Sequence, residues 1–388
     1  MELPTSRTEA AQYDADDPIA GFRDRFALPD DLIYLDGNSL GALPRNVAAR
    51  MERTVRHEWG ADLVAGWNRH DWIGLPERVG ERIAPLLGAA PGQVLCCDSI
   101  SVNLFKLLSA ALALRPGRTV ILSEAGNFPT DLYMAEGLQT LLGPGRCELR
   151  RPAAERILEG LGDDVAVLML THVDFRTGRR HNMKAIARAA HEAGALVLWD
   201  LAHSAGVMPL SLDDSGADLA VGCGYKYLNG GPGAPAFIYV RPDLADTVQP
   251  ALSGWLGHRQ PFAFDLNYTP GQGIERMRVG TPPVIQLTAL EVAMELWEGV
   301  DMNALRAASV ALQEQFIAEI EREVPQLTLA SPRDSAVRGS QVSFRFAEGY
   351  AAMQAVIDRS EERVGQLEEQ VLTASSRVFA TDLADLRR

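Results

Sequence analysis

Residues 195–206 read ALVLWDLAHSAG: an apolar run that ends on a single carboxylate, Asp200, with His203 three residues further on. An unbroken series of Leu, Val and Trp reads as a strand buried on both faces rather than an alternating half-exposed one. A carboxylate at the end of such a strand is expensive to bury unless a cation or several donors meet it. The next apolar run, ADLAVGC at 217–223, leads into GCGYKYLNGGPG at 222–233, which places Lys226 a few residues past its own strand. Ligands collect at the carboxyl ends of strands in a helix-covered parallel sheet, so one crevice is expected to receive both the Lys226 amine and the Asp200 carboxylate.

The same rhythm extends in both directions. QVLCC, VNLFKLLSAALAL, TVILSE, TDLYMAEGLQTLL, VAVLMLTHV, MKAIARAAHEAG and APAFIYV alternate apolar strands with helical stretches between about residues 90 and 240. This predicts an α/β protein with a mainly parallel sheet covered on both faces. The Pro/Gly-rich passage 254–283 carries little periodicity and is expected to border a second domain, after which VIQLTALEVAMELWEGV resumes as a helix. The expected organisation is an N-terminal arm at 1–48, a large domain at 49–283, and a linking helix with a small α+β domain at 284–388 that the arm joins.

Composition narrows the partners. The formal charge of −14 and pI near 5.0 repel phosphate backbones and anionic lipid, which disfavours nucleic acid and membrane surfaces and favours a small-molecule substrate. The amino terminus, MELPTSRTEAAQYDADD, lacks a basic flank and apolar core, so a cytoplasmic protein is expected. Cys96, Cys97, Cys147 and Cys223 have no metal-ligand spacing and read as reduced thiols of the core, with no metal expected.

A lysine that can form an imine with an aldehyde, and an acid that keeps a ring nitrogen protonated, are the two fixed requirements of pyridoxal phosphate chemistry. The glycines beside Lys226 permit close backbone approach. Phosphate needs donors, and CCDSISVNLFKLL ends a strand and opens a helix with Ser99 and Ser101, where free N–H groups attract anions. GNFPTDLY brings Phe128 and Asp131 to the same sheet edge. Each residue has a plainer reading: Asp200 capping a turn, His203 satisfied in the core, the serines capping a helix, Phe128 packing.

Taken together, IYLDGNSLG (33–41), SVNLFK (101–106), NFPTDLY (127–133), WDLAHSAG (199–206), YKYLNGGPG (225–233) and LSGWLGH (252–258) resemble the kynureninase family, in its order and spacing over roughly residues 14–359. The resemblance implies the aminotransferase-like fold type I, pyridoxal 5'-phosphate as cofactor, and a homodimer with active sites at the subunit interface. It implies cleavage of the amino acid L-kynurenine, or its 3-hydroxy form, to anthranilate, or 3-hydroxyanthranilate, and L-alanine in tryptophan degradation. By the same carry-over Lys226 binds the cofactor and shuttles protons, Asp200 pairs with its ring nitrogen, His203 supports Asp200, and Phe128 stacks on the ring. Ser99, Ile100, Tyr225, Trp255 and Thr281 surround the phosphate, with Trp255 and Thr281 coming from the partner subunit. Tyr225 is the family's proton donor or a simple hydrogen-bond donor. Pro129, Thr130, Asp131 and Thr171 line the cofactor pocket. Trp67, His70 and Trp72 line the aniline pocket or pack a surface loop.

Three departures from the family are legible. Ile100 stands where the family has Thr, and Gly224 where it has Ser or Thr, removing two hydroxyls expected near the phosphate. Residues 360–388 read as amphipathic helix, with Val364, Leu367, Val371, Ala374 and Val378 at helical spacing, where the family places a strand whose arginine holds the substrate carboxylate. This predicts poor substrate binding, or a weakly active or inactive homologue that keeps fold and dimer. Another lyase of the same fold is a further alternative; a desulfurase is disfavoured because it needs a cysteine on a mobile loop.

Overall fold

The computed structural model describes residues 7–17, 19–29, 32–355 and 358–359, so the tail expectation at 360–388 lies outside the described residues. The described residues divide into two compact units, one running to Ala318 and including Ser331–Ser343, the other formed by Glu319–Ala330 and the described residues from Phe344 onward. The second unit holds a two-stranded antiparallel pair, Thr328–Leu329 with Phe344–Arg345.

The first unit is built on seven strands: β1 (Val94–Cys96), β2 (Val120–Leu122), β3 (Glu148–Arg150), β4 (Val165–Thr171), β5 (Leu196–Asp200), β6 (Leu219–Cys223) and β7 (Ala236–Val240). Their spatial order is β1-β7-β6-β5-β4-β2-β3, and only β7 runs against the rest. Every residue of β4, β5 and β6 is buried, which is what their uniformly apolar sequences require. Two apolar layers cover the faces. One contains Leu75, Val79 and Ile83 from helix Leu75–Leu87 with Leu287 and Leu290; the other contains Leu104, Leu107 and Leu108 from helix Ile100–Leu114 with Leu132 and Leu138. The passage 254–283 holds only short turns of 3-10 helix before helix Val284–Ala293 begins.

Because β1, β2, β4, β5 and β6 are parallel, the residues at their carboxyl ends share one edge of the sheet: Ser99, Phe128, Thr171, Asp200 and Lys226. The N-terminal segment braces this edge. The Gly41 N–H donates to the Tyr225 carbonyl at 2.9 Å, and a Cβ at Gly41 would lie 2.2 Å from the Lys226 carbonyl oxygen. Glycine is what lets IYLDGNSLG press against YKYLN.

Gly224 has an equally physical reason. A Cβ there would lie 2.5 Å from the Pro235 carbonyl oxygen and 2.7 Å from Leu290 Cδ2, so the position points into packed core. The missing hydroxyl expected from the sequence is therefore a packing adaptation to Leu290 and Pro235. Gly224→Ser should destabilise the fold by about 1–3 kcal/mol, read as a lower urea midpoint at unchanged m; an unchanged midpoint contradicts this account.

Candidate active site

The sheet edge opens into a cavity of about 760 Å³ lined by Ser99, Ile100, Ser101, Phe128, Thr130, Asp131, Thr171, Asp200, His203, Tyr225 and Lys226, together with Asp98 and Phe175. The residues expected from sequence thus converge, apart from Pro129, Trp255, Thr281 and the cluster of Trp67, His70 and Trp72. Pro129 occupies the first turn of helix Pro129–Leu142, where its fixed φ suits a helix start. Trp255 is 40% exposed and packs edge-to-face on Phe262 at 5.7 Å, and Thr281 is also exposed. Neither lines the cavity of its own chain. Trp67 and Trp72 pack on each other at 5.3 Å while His70 bonds Asp62 at 2.8 Å, so this cluster too lies outside the cavity lining.

At one end, Ser99 caps helix Ile100–Leu114, its Oγ accepting from the Val102 N–H at 3.4 Å. The adjoining Asp98 holds a left-handed φ of 52°. Lys106, nearly two turns into the helix and fully buried, donates to Asp98 Oδ2 and to the Met277 carbonyl, both at 2.8 Å. This ion pair, buried on the lysine side and partly exposed at Asp98, pins the loop that presents the helix terminus to the cavity.

At the other end lie two carboxyls. Asp200 is buried at the end of β5, beside Thr171 of β4 in the sheet register, and its Oδ1 accepts from the Ala202 N–H at 2.8 Å. Asp131 is fully buried; its Oδ2 meets the Thr171 hydroxyl at 3.3 Å and the Asn127 amide at 3.4 Å. Its Oδ1 has no partner other than the neighbouring Asp200. Burial, reinforced by the Asp200 charge, pushes the Asp131 carboxyl well above the usual carboxylate range. Burial also raises Asp200, but the Ala202 N–H and the Lys226 charge oppose it. Two adjoining carboxyls cannot both ionise cheaply, so the pair holds one negative charge between them, and the Ala202 N–H and Lys226 favour its residing on Asp200. Asp131→Asn, neutral and of the same shape, should therefore change turnover less than about fivefold; a loss beyond about a hundredfold in steady-state assays would mean Asp131 acts as an anion.

Lys226 reaches in from beyond β6. Its Nζ lies 2.7 Å from His203 Nε2 and 5.8 Å from the centre of the Phe128 ring. Phe128 is itself held edge-to-face by Phe175 at 5.2 Å. His203 Nδ1 lies 2.7 Å from Gln341 Oε1. The histidine expected to support Asp200 is thus bonded to Lys226 and Gln341, because its ring is drawn toward the chain segment that returns at 331–343. Burial first, then the Lys226 charge, hold the imidazole down at about 4, so it is neutral near pH 7. Tyr225 is half-buried and its phenol is pushed up, mainly by burial.

Sequence reasoning missed Gln341, Asn127, Phe175 and the Asp98–Lys106 pair. The first is more than a hundred residues from its partner and sits in an irregular segment with no motif to mark it. Lys106, an amine inside an otherwise apolar helical run, was the one signal available.

This sheet order, with a lysine and a buried acid at the carboxyl edge, defines a class. A family model described as aminotransferase class-V matches residues 33–361. Among solved structures the chain is similar to a C-DES variant with glycine linked covalently to its pyridoxal phosphate, at a TM-score of 0.73, 17% identity, 87% of this chain and 90% of that one. It is also similar to a cysteine desulfurase from Thermococcus onnurineus, at a TM-score of 0.65, 20% identity, 90% of this chain and 83% of that one. These share the fold. The chain is 47% identical to a kynureninase of Pseudomonas fluorescens, covering 92% of this chain and 87% of the relative. It is 50% identical to one of Deinococcus radiodurans, covering 89% and 85%. The chain belongs to the kynureninase family within the class-V aminotransferases.

Proposed function

We propose that the protein hydrolyses L-kynurenine, 3-hydroxykynurenine or both to the corresponding anthranilate and L-alanine, using pyridoxal 5'-phosphate. The observation that carries this reading is one cavity shared by the Lys226 amine, the Asp131–Asp200 pair and an open helix terminus, in a chain about half identical to kynureninases.

The residues fit the cofactor. The adjoining Asp131 and Asp200 carboxyls line the cavity as a polar floor suited to a protonated ring nitrogen, and the start of helix Ile100–Leu114 suits a phosphate. Asp200 would hold the ring nitrogen's proton, with Asp131 keeping the pair singly charged. Phe128 would cover the ring, Thr130 and Thr171 would flank it, and Ser99, Ser101 and Tyr225 would bind the phosphate with the helix N–H groups; Ile100 contributes its N–H alone. When bound, pyridoxal phosphate supplies an electron sink that lets bonds at the amino acid's α- and β-carbons break. Lys226 holds the cofactor, and its free amine takes and returns the proton at the substrate's α-carbon. Tyr225 would lie beside the phosphate as a proton donor or a simple hydrogen-bond donor.

A cytoplasmic homodimer completes the reading. Trp255 and Thr281 are exposed, and Leu252, Phe262, Phe264 and Leu266 expose apolar surface around them, as residues offered to a partner's cavity would. Residues 360–388 do not read as the strand whose arginine, by the family resemblance, takes the substrate carboxylate. A charged hydrogen bond of that kind is worth about 1.5–3 kcal/mol, so KM for kynurenine should exceed that of a relative retaining the arginine by roughly ten- to hundredfold. Steady-state kinetics on the cofactor-loaded protein tests this. A KM in the low micromolar range, unchanged in Arg363→Ala and Arg377→Ala, would mean that another group holds the carboxylate.

A further inference from the structure

The direction of the hydrogen bonds through Gln341 is fixed by chemistry. Its amide nitrogen faces two backbone carbonyls, that of Phe175 at 2.8 Å and that of Asp174 at 3.5 Å. Carbonyls only accept, so the nitrogen must be on that side and Oε1 must face His203. An amide oxygen also only accepts, so His203 Nδ1, 2.7 Å away, must carry a hydrogen. In a neutral ring this leaves a lone pair on Nε2, the atom 2.7 Å from Lys226 Nζ.

We propose that Gln341 is a positioning residue: its carbonyl oxygen sets the tautomer of His203, so that His203 Nε2 accepts a hydrogen from Lys226 whenever the lysine amine is free. The segment carrying Gln341 is built to hold still. Arg338, fully buried, donates to Gln313 Oε1 at 2.7 Å and to the Pro332 and Arg333 carbonyls at 2.8 and 3.0 Å. The Gly339 N–H donates to the Gly178 carbonyl at 2.7 Å, and the Arg180 N–H to the Val337 carbonyl at 2.9 Å, docking the segment on the turn after β4. Gln341 and His203 are both buried.

The arrangement does two things for Lys226. One N–H is engaged by His203, which restricts the rotation of the amine. The acceptor is also uncharged. The charged groups acting on His203 are Lys226, which disfavours its protonation, and Asp174, which favours it; Gln341 adds a hydrogen bond without a charge. Lys226 in turn acts on Asp200 at the end of β5, on Asp131 in the first turn of helix Pro129–Leu142 and on Cys223 at the end of its own strand, β6. A glutamate at 341 would instead make a carboxylate–histidine pair, and the ring would turn toward Lys226 as a donor.

The inference takes the catalytic use of Lys226 from the reading above, but its test needs no turnover. The full chain, labelled with 15N-histidine and freed of pyridoxal phosphate, would be followed by NMR against pH, with His203 identified by the signal lost in His203→Asn. The expected result is a neutral Nδ1–H tautomer at pH 7. In Gln341→Glu the His203 midpoint should rise by about one to three pH units, the scale of a new opposite charge in contact. An Nε2–H tautomer or an imidazolium at pH 7 in the unsubstituted chain would overturn the proposal, as would an unchanged midpoint in Gln341→Glu. Should that variant fail to fold, Gln341→Met decides instead: without the carbonyl acceptor the Nε2–H form should appear, and a ring that stays wholly Nδ1–H would overturn the proposal.

Discussion

Lys226→Ala should lose turnover by roughly a thousandfold or more and lose the visible absorbance of lysine-bound pyridoxal phosphate with it. The sequence contains three lysines, and the other two cannot substitute. Lys106 is fully buried with its amine committed to Asp98 and the Met277 carbonyl. Lys184 is exposed on helix Met183–Glu192, where it borders a separate surface groove. Only Lys226 places an amine against His203 in the cavity. Absorbance titration with pyridoxal phosphate and a turnover assay check the two losses separately. A variant that kept full turnover would remove Lys226 from the chemistry.

Asp200→Asn should leave cofactor bound but reduce turnover by at least about a hundredfold, the lower end of what a positioned acid or base contributes. A neutral amide keeps the hydrogen bond to Ala202 but supplies no charge to hold a proton on a ring nitrogen. The contrast with Asp131→Asn matters most. Both positions are buried carboxyls in contact, yet the shared proton makes one replaceable by an amide and the other not. Cofactor affinity by titration and kcat by steady-state assay on both variants would show the asymmetry. Equal losses in the two would mean that the proton is not held as described.

The sheet was legible because its strands are apolar throughout and separated by amphipathic helices; ALVLWD, VAVLMLT and LAVGC admit no other economical burial. The site was legible where residues sit at strand ends, since parallel strands bring those ends to one edge without any knowledge of side-chain packing. That is why Ser99, Phe128, Thr171, Asp200 and Lys226 came out together. What could not be read was the detail set by distant chain. The hydrogen bonds of His203 depend on Gln341, which sequence separation hides, and Gly224 was judged by its missing hydroxyl when its constraint is the space left by Leu290 and Pro235. Trp255 and Thr281 match family positions, yet both are exposed and neither lines the cavity of its own chain.

The most direct test of the account is the product mixture. The purified protein loaded with pyridoxal phosphate and given L-kynurenine should release anthranilate, followed by its fluorescence, together with L-alanine in equal amount, and Lys226→Ala should release neither. Visible cofactor absorbance with no anthranilate at millimolar kynurenine, or kynurenine consumed without matching alanine, would contradict it.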